Sequence, residues 1–143
     1  MPRIKLELPE HFSFSTNIPV RITDLNYGGH AGNDSILSII HEARMQFLKQ
    51  HGYDEKNFAG VGLIMSNVII EFKKELFYGD TAIVAVTAAN FERVSFDILY
   101  KLDTTRNGKH ITVAVAQTGM VCFNYDTQKI TSVPEEARRK LLG

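Results

Sequence analysis

The apolar positions of this chain repeat with one period in a single long segment and with another almost everywhere else. Ile36, Ile40, Ala43 and Phe47 fall at i, i+4, i+7 and i+11, and Leu37 and Leu48 widen the stripe. That spacing predicts a helix buried on one face. Gly52, after His51, is a natural stop for it. Asn33 is the expected N-cap, with Asp34 in the first turn against the helix dipole.

Elsewhere the apolar residues alternate or run together, as strands do. A first strand is expected over 12–23, with Ile18, Val20 and Ile22 on one face and Pro19 marking an edge. A long strand follows the helix over 61–76, and Gly62 suggests an irregular start or a bulge. Further strands are expected over 81–90, 95–103 and 110–124. In the second of these Phe96, Ile98, Tyr100 and Leu102 alternate, and Asn107-Gly108 is a strong hairpin signal before the last. Residues 1–10 read as a loose lead-in. Pro134-Glu135-Glu136 opens a short helix, since proline favours the first helical turn. The order is one strand, one long helix, then four strands, mostly antiparallel. A single helix with one apolar stripe must cover a curved sheet, so the expected class is α+β, one domain over 1–143, with the sheet wrapped around the helix.

Composition narrows the function classes. Of 143 residues, 44% are hydrophobic, enough for a sizeable core. Lys+Arg and Asp+Glu both count 16, so the net charge is zero, which argues against a nucleic-acid partner. No stretch approaches a membrane span, and the N-terminus has no long apolar run of a signal peptide. The single cysteine, Cys122, excludes an internal disulfide and fits a reducing compartment. A cytoplasmic protein is expected. His11, His30, His41, His51 and His110 show no metal-ligand spacing, so neither a metal nor another cofactor is expected.

The candidate chemistry lies between the first strand and the helix, in Asp24-Leu25-Asn26-Tyr27-Gly28-Gly29-His30-Ala31-Gly32-Asn33. This polar, glycine-rich loop presents the free N–H groups of a helix N-terminus to an anion or carbonyl oxygen. On an extended strand end Asp24 and Asn26 would share a face. Asp24 is then a candidate carboxylate, or else an aspartate that bonds its own backbone. Asn26 can hold a water through its side-chain carbonyl. His30 is a general acid–base residue type at neutral pH, or else a loop-fixing histidine. Glu42 lies roughly 13 Å along the helix axis from its start, out of reach of that end within one chain. The expected role for Glu42 is surface salt bridging among the neighbours of Arg44. Cys122, in an apolar strand, is expected in the core.

Read as an ordered set, these residues resemble a family. Asp24-Leu25-Asn26-Tyr27-Gly28-Gly29-His30-Ala31-Gly32-Asn33-Asp34-Ser35-Ile36 lies without a gap over the pattern Asp-x-Asp-x-x-Gly-His-Val-x-Asn-x-x-Tyr. That pattern belongs to hot-dog-fold acyl-CoA thioesterases of the 4-hydroxybenzoyl-CoA thioesterase type. His41-Glu42-Ala43-Arg44, Ile70-Glu71-Phe72, Gly79-Asp80, Thr118 to Phe123 and Pro134-Glu135-Glu136 extend the resemblance nearly end to end. It implies a hot-dog fold, hydrolysis of an acyl-CoA or acyl carrier protein thioester, and a homodimer or homotetramer. It also implies that the backbone N–H of Asn33 receives the developing oxyanion, with Gly32 allowing close approach.

Two positions depart from the pattern. Asn26 stands where the family keeps its catalytic carboxylate, and Ile36 stands for the tyrosine. Asparagine accepts no proton, so the base would have to come from Asp24 or His30, and an aspartate restored at position 26 is expected to raise activity. Two other readings stand beside the thioesterase. A hot-dog enoyl-CoA hydratase carries Asp-x-Asn-x-x-His, which Asp24, Asn26 and His30 match with one residue too many. A non-catalytic acyl-binding protein would have kept the fold and lost the carboxylate.

Overall fold

The computed structural model describes residues 5–143. Of the expected lead-in, 1–4 lie outside the described residues, and 5–13 form neither helix nor strand. The elements run β1 (Phe14–Pro19), a single 3-10 turn (Ile22–Asp24), α1 (Asn33–Gln50), β2 (Gly62–Phe72), β3 (Thr81–Ala89), β4 (Ser95–Arg106), β5 (Lys109–Asn124), β6 (Lys129–Ile130) and α2 (Glu135–Leu142). One antiparallel sheet has the order β1-β3-β4-β5-β2, and β6 pairs with the end of β5. This is the expected α+β arrangement, one long helix against one sheet.

Helix α1 buries Ile36, Ile39, Ile40, Ala43, Arg44, Phe47 and Leu48. Ile39 takes the flanking place expected of Leu37, which is only half-buried. Ala82, Val84, Val86 and Ala88 of β3 and Phe96, Ile98, Tyr100 and Leu102 of β4 form the buried face of the sheet. Removing an isoleucine, leucine or phenylalanine side chain from water contributes about 1.5–3 kcal/mol each, so this face and the α1 stripe carry much of the fold. The Phe14 and Phe47 rings, 5.9 Å apart, tie β1 to the helix.

The helix ends as the sequence predicts. Tyr53 N–H donates to Leu48 O and Gly52 N–H to Lys49 O, both at 2.9 Å, and Gly52 has φ +84°. That is a Schellman motif, whose left-handed residue favours glycine. At the β4–β5 hairpin Asn107 and Gly108 both have positive φ, 52° and 77°, the conformation of a type I′ turn.

Several expected boundaries move. The first strand ends at Pro19, because Pro19 and the 3-10 turn that follows redirect the chain, and Ile22 is left exposed. The strand expected over 61–76 ends at Phe72, where the apolar run gives way to Lys73-Lys74-Glu75. Its irregularity falls between Met65 and Asn67 rather than at Gly62. Gly62 instead lies beneath the Tyr125 ring, where a Cβ would sit 2.3 Å from Tyr125 Cε2. Five strands follow α1, not four, because Lys129–Ile130 returns to pair with β5. Pro134 is the N-cap of α2 rather than its first residue.

Candidate functional site

The loop between β1 and α1 is folded by its own backbone. Asn26 N–H donates to His30 O at 2.9 Å, Gly29 N–H to Asn26 O at 3.1 Å and Gly32 N–H to Asp24 O at 3.2 Å. Ala31 N–H donates to Leu76 O at 2.7 Å, and His30 pairs with Phe77 as an isolated antiparallel bridge. The loop is therefore stitched to the turn that follows β2.

That turn is braced in its own right. Arg106, the last residue of β4, donates from Nη2 to Glu75 O at 2.5 Å and to Asp80 Oδ2 at 2.6 Å. Its guanidinium also lies over the Phe77 ring, 4.9 Å from the centroid. Asp80 Oδ2 accepts the Phe77 N–H at 2.8 Å as well. Burial alone would push the Asp80 carboxyl up. The Arg106 hydrogen bond, the Phe77 N–H and the Arg106 charge together hold it below the ordinary carboxylate value.

Asp24 does not share a face with Asn26. The chain passes through the 3-10 turn there, and Asp24 is 5% exposed while Asn26 faces solvent. Asp24 Oδ2 accepts the Arg21 N–H at 2.8 Å, and Oδ1 accepts Arg21 Nη2 at 3.2 Å. This is the backbone-bonding aspartate of the plainer expectation, with a guanidinium added.

Asn26 Oδ1 accepts the Gly28 N–H at 2.9 Å. A backbone N–H needs an acceptor, which fixes the orientation of the amide. The carbonyl expected to hold a water is thus already engaged, and the free end of Asn26 is its donor, Nδ2. A Cβ at Gly32 would lie 3.8 Å from Nδ2 and 2.6 Å from Asp34 Oδ1, so the amide stands beside the start of α1.

His30 Nδ1 is 3.1 Å from Ala31 O. A carbonyl only accepts, so Nδ1 carries a proton, and in the neutral ring the lone pair is then on Nε2. A Cβ at Gly28 would lie 3.2 Å from His30 Nε2 and 3.4 Å from Asn26 Oδ1, so the two side chains flank the same stretch of backbone. The N-cap of α1 is Gly32, and Asn33 is the first helical residue rather than the cap. With φ −72° and ψ 167°, Gly32 leads an extended chain into the helix with no side-chain cap over its first amides. Those N–H groups, Asn33 first, have no partner inside the helix.

A cleft of about 210 Å³ opens at this end of α1, lined among others by His30, Asn33, Ile36, Lys74, Glu75 and Leu76. It unites His30 and Asn33. Asn26, Gly32 and Asp24 do not line it, although the Asn26 amide stands beside Gly32 where α1 begins. Sequence reading missed Glu75 because the apolar run was carried through to Leu76. A strand broken at Lys73-Lys74 would have shown an acid at the start of a turn.

The other titratable residues lie elsewhere. Burial pushes the Cys122 thiol up to about 11, so it remains protonated and is no nucleophile. Arg44 pairs with Glu55 at 3.3 Å, whereas Glu42 accepts from Gln46 at 2.9 Å, which corrects the grouping expected for Glu42 and Arg44. Among the described residues no group of three His, Cys, Asp or Glu side chains could hold a metal ion, and no helix is long and apolar enough to cross a membrane.

The family model of the thioesterase-like superfamily matches residues 20–141. A 1,4-dihydroxy-2-naphthoyl-CoA hydrolase of Rippkaea orientalis is 28% identical over 119 residues, 81% of this chain and 86% of that protein. Among solved structures, a 1,4-dihydroxy-2-naphthoyl-CoA thioesterase from Synechocystis superposes with TM-score 0.80 at 20% identity, over 90% of this chain and 95% of the other. An aspartate-to-asparagine mutant of 4-hydroxybenzoyl-CoA thioesterase, complexed with 4-hydroxybenzoyl-CoA, superposes with TM-score 0.81 at 15% identity, over 90% and 97% of the two chains. These two structures share the hot-dog fold with this chain.

Proposed function

Because the chain belongs to the thioesterase-like superfamily, we propose that it hydrolyses an acyl-CoA thioester to a carboxylic acid and free CoA, with His30 as the base. The observation that carries this reading is the cleft in which the His30 ring and the uncapped start of α1 meet. The thioester carbonyl oxygen lies against the Asn33 N–H and the Asn26 Nδ2, donors placed where negative charge develops. Water attacks the carbonyl carbon as its proton passes to His30 Nε2. The tetrahedral intermediate then expels the CoA sulfur, which takes that proton. Asp24 braces the loop through Arg21 and stays outside the chemistry.

The relatives named for 1,4-dihydroxy-2-naphthoyl-CoA make aromatic acyl-CoAs the first substrates to try. The cleft is smaller than the roughly 300–1,000 Å³ of a typical ligand pocket, so we further propose that a second copy completes it in a homodimer or homotetramer. The edge strand β2 suits that role, with the exposed side chains of Ile64 and Phe72 along it. The buried free thiol of Cys122 fits a cytoplasmic setting.

The test is release of CoA thiol from a panel of aromatic, short-chain and long-chain acyl-CoAs. Turnover of any of them supports hydrolysis. Binding without release across the panel would replace it with the acyl-binding reading, and hydration of an enoyl-CoA would favour the hydratase. Sedimentation giving a clean 16.1 kDa monomer at micromolar concentration would remove the oligomer.

A further inference from the structure

A histidine that takes a proton in a small cleft becomes a cation there, and a nearby anion lowers the cost of forming it. Asp24 cannot serve, since Arg21 holds it within the loop. Glu75 is the acid that faces the reactive nitrogen, with Oε1 3.8 Å from His30 Nε2. The two residues sit on segments joined by backbone: Ala31 N–H donates to Leu76 O at 2.7 Å, and His30 is bridged to Phe77. The carbonyl of Glu75 is pinned by Arg106 at 2.5 Å, in the turn closed by Asp80. Of the lysines beside it in the cleft, Lys73 is drawn to Glu71 at 3.6 Å. An exposed side chain therefore projects from a fixed backbone toward a ring whose other nitrogen is fixed by Ala31 O.

We propose that Glu75 is a positioning residue for hydrolysis, the counter-charge of the imidazolium that His30 forms when it deprotonates the attacking water. The assignment rests on the thioesterase reading above. Water adds across the C–S bond, and its proton travels from the attacking oxygen to His30 Nε2 and then to the departing sulfur. Glu75 exchanges no proton.

The experiment measures kcat and KM for CoA release by wild type, Glu75→Gln, Glu75→Asp, His30→Ala and the double variant His30→Ala with Glu75→Gln. Glu75→Gln is expected to lower kcat by about 10-fold or more with KM little changed, as for a group that acts on the transition state alone. Glu75→Asp should recover part of the loss. In the His30→Ala background Glu75→Gln should cost nothing further, because its partner is gone. An unchanged kcat in Glu75→Gln, a rise in KM alone, or losses that multiply in the double variant would each overturn the assignment while hydrolysis itself stood. A wild type that turns over no acyl-CoA would remove hydrolysis and this assignment together.

Discussion

Arg44 donates from Nη1 to the Tyr100 hydroxyl across 3.2 Å, joining the central helix to the middle of the sheet inside the core. Burial pushes the Tyr100 phenol up, so it keeps its proton and can donate to Thr118 Oγ1 at 2.7 Å. Glu55 completes the chain by accepting from Arg44 Nε at 3.3 Å. Tyr100→Phe keeps the ring and leaves Arg44 and Thr118 each short of a partner. Urea denaturation should show a loss of about 1–3 kcal/mol. No loss would mean that water replaces the hydroxyl.

His30→Ala should lower turnover by on the order of 100-fold or more, the usual cost of removing a general base. The variant should fold, since the ring is partly exposed and its one backbone contact is with its neighbour Ala31. Circular dichroism checks the fold and thiol release checks the rate. A normally folded variant with an unchanged rate would leave His30 a loop-fixing residue.

Asn26→Asp separates the sequence-based expectation from the geometry. The family pattern alone suggests that a carboxylate there raises activity. In the structure Oδ1 already holds the Gly28 N–H, and the free end of the side chain is a donor beside the start of α1. Aspartate would remove that donor and set a negative charge near Asp34 and the developing oxyanion. A fall in kcat of about 10-fold or more is expected, toward the range for a lost oxyanion donor. A rise would return the role of base to position 26.

Asp80→Asn should be felt as a pH-dependent loss of stability. The native carboxyl lies below the reference value of 3.8. Its contribution is therefore fully present above the unfolded-state value and is lost as pH falls through the lower native value. At pH 7 the variant should be less stable by about 1.5–3 kcal/mol, in line with a hydrogen bond to a charged group. The gap should close in acid below pH 3.8. Denaturation at a series of pH values measures it, and a gap that persists in acid would assign the loss to packing.

The helix, the sheet and the Gly52 stop are legible in the sequence because burial imposes the periods 3.6 and 2 on the residues themselves. The hairpin at Asn107-Gly108 is legible because both residues must take positive φ. What stays hidden is contact between distant segments. Arg106 and Glu75 are 31 residues apart, and nothing local to either announces the other. Asp24 misleads for a related reason. Two residues apart on a strand means a shared face, but the 3-10 turn after Val20 breaks that rule. The short β6 escapes because two exposed residues carry no alternation.

The tight Asn107-Gly108 hairpin would ordinarily be chosen as a place to insert a peptide tag, being exposed and far from the site in sequence. Arg106 immediately precedes it and holds the Glu75 carbonyl and Asp80 at the other end of its side chain. A graft there would tug on the turn beneath the cleft, so this tip belongs to the site's foundations. The turn tip at Asp126-Thr127 is equally exposed and held locally, Asn124 Oδ1 accepting both N–H groups, while Tyr125 before it packs over Gly62. That turn is where a reporter sequence should be tolerated.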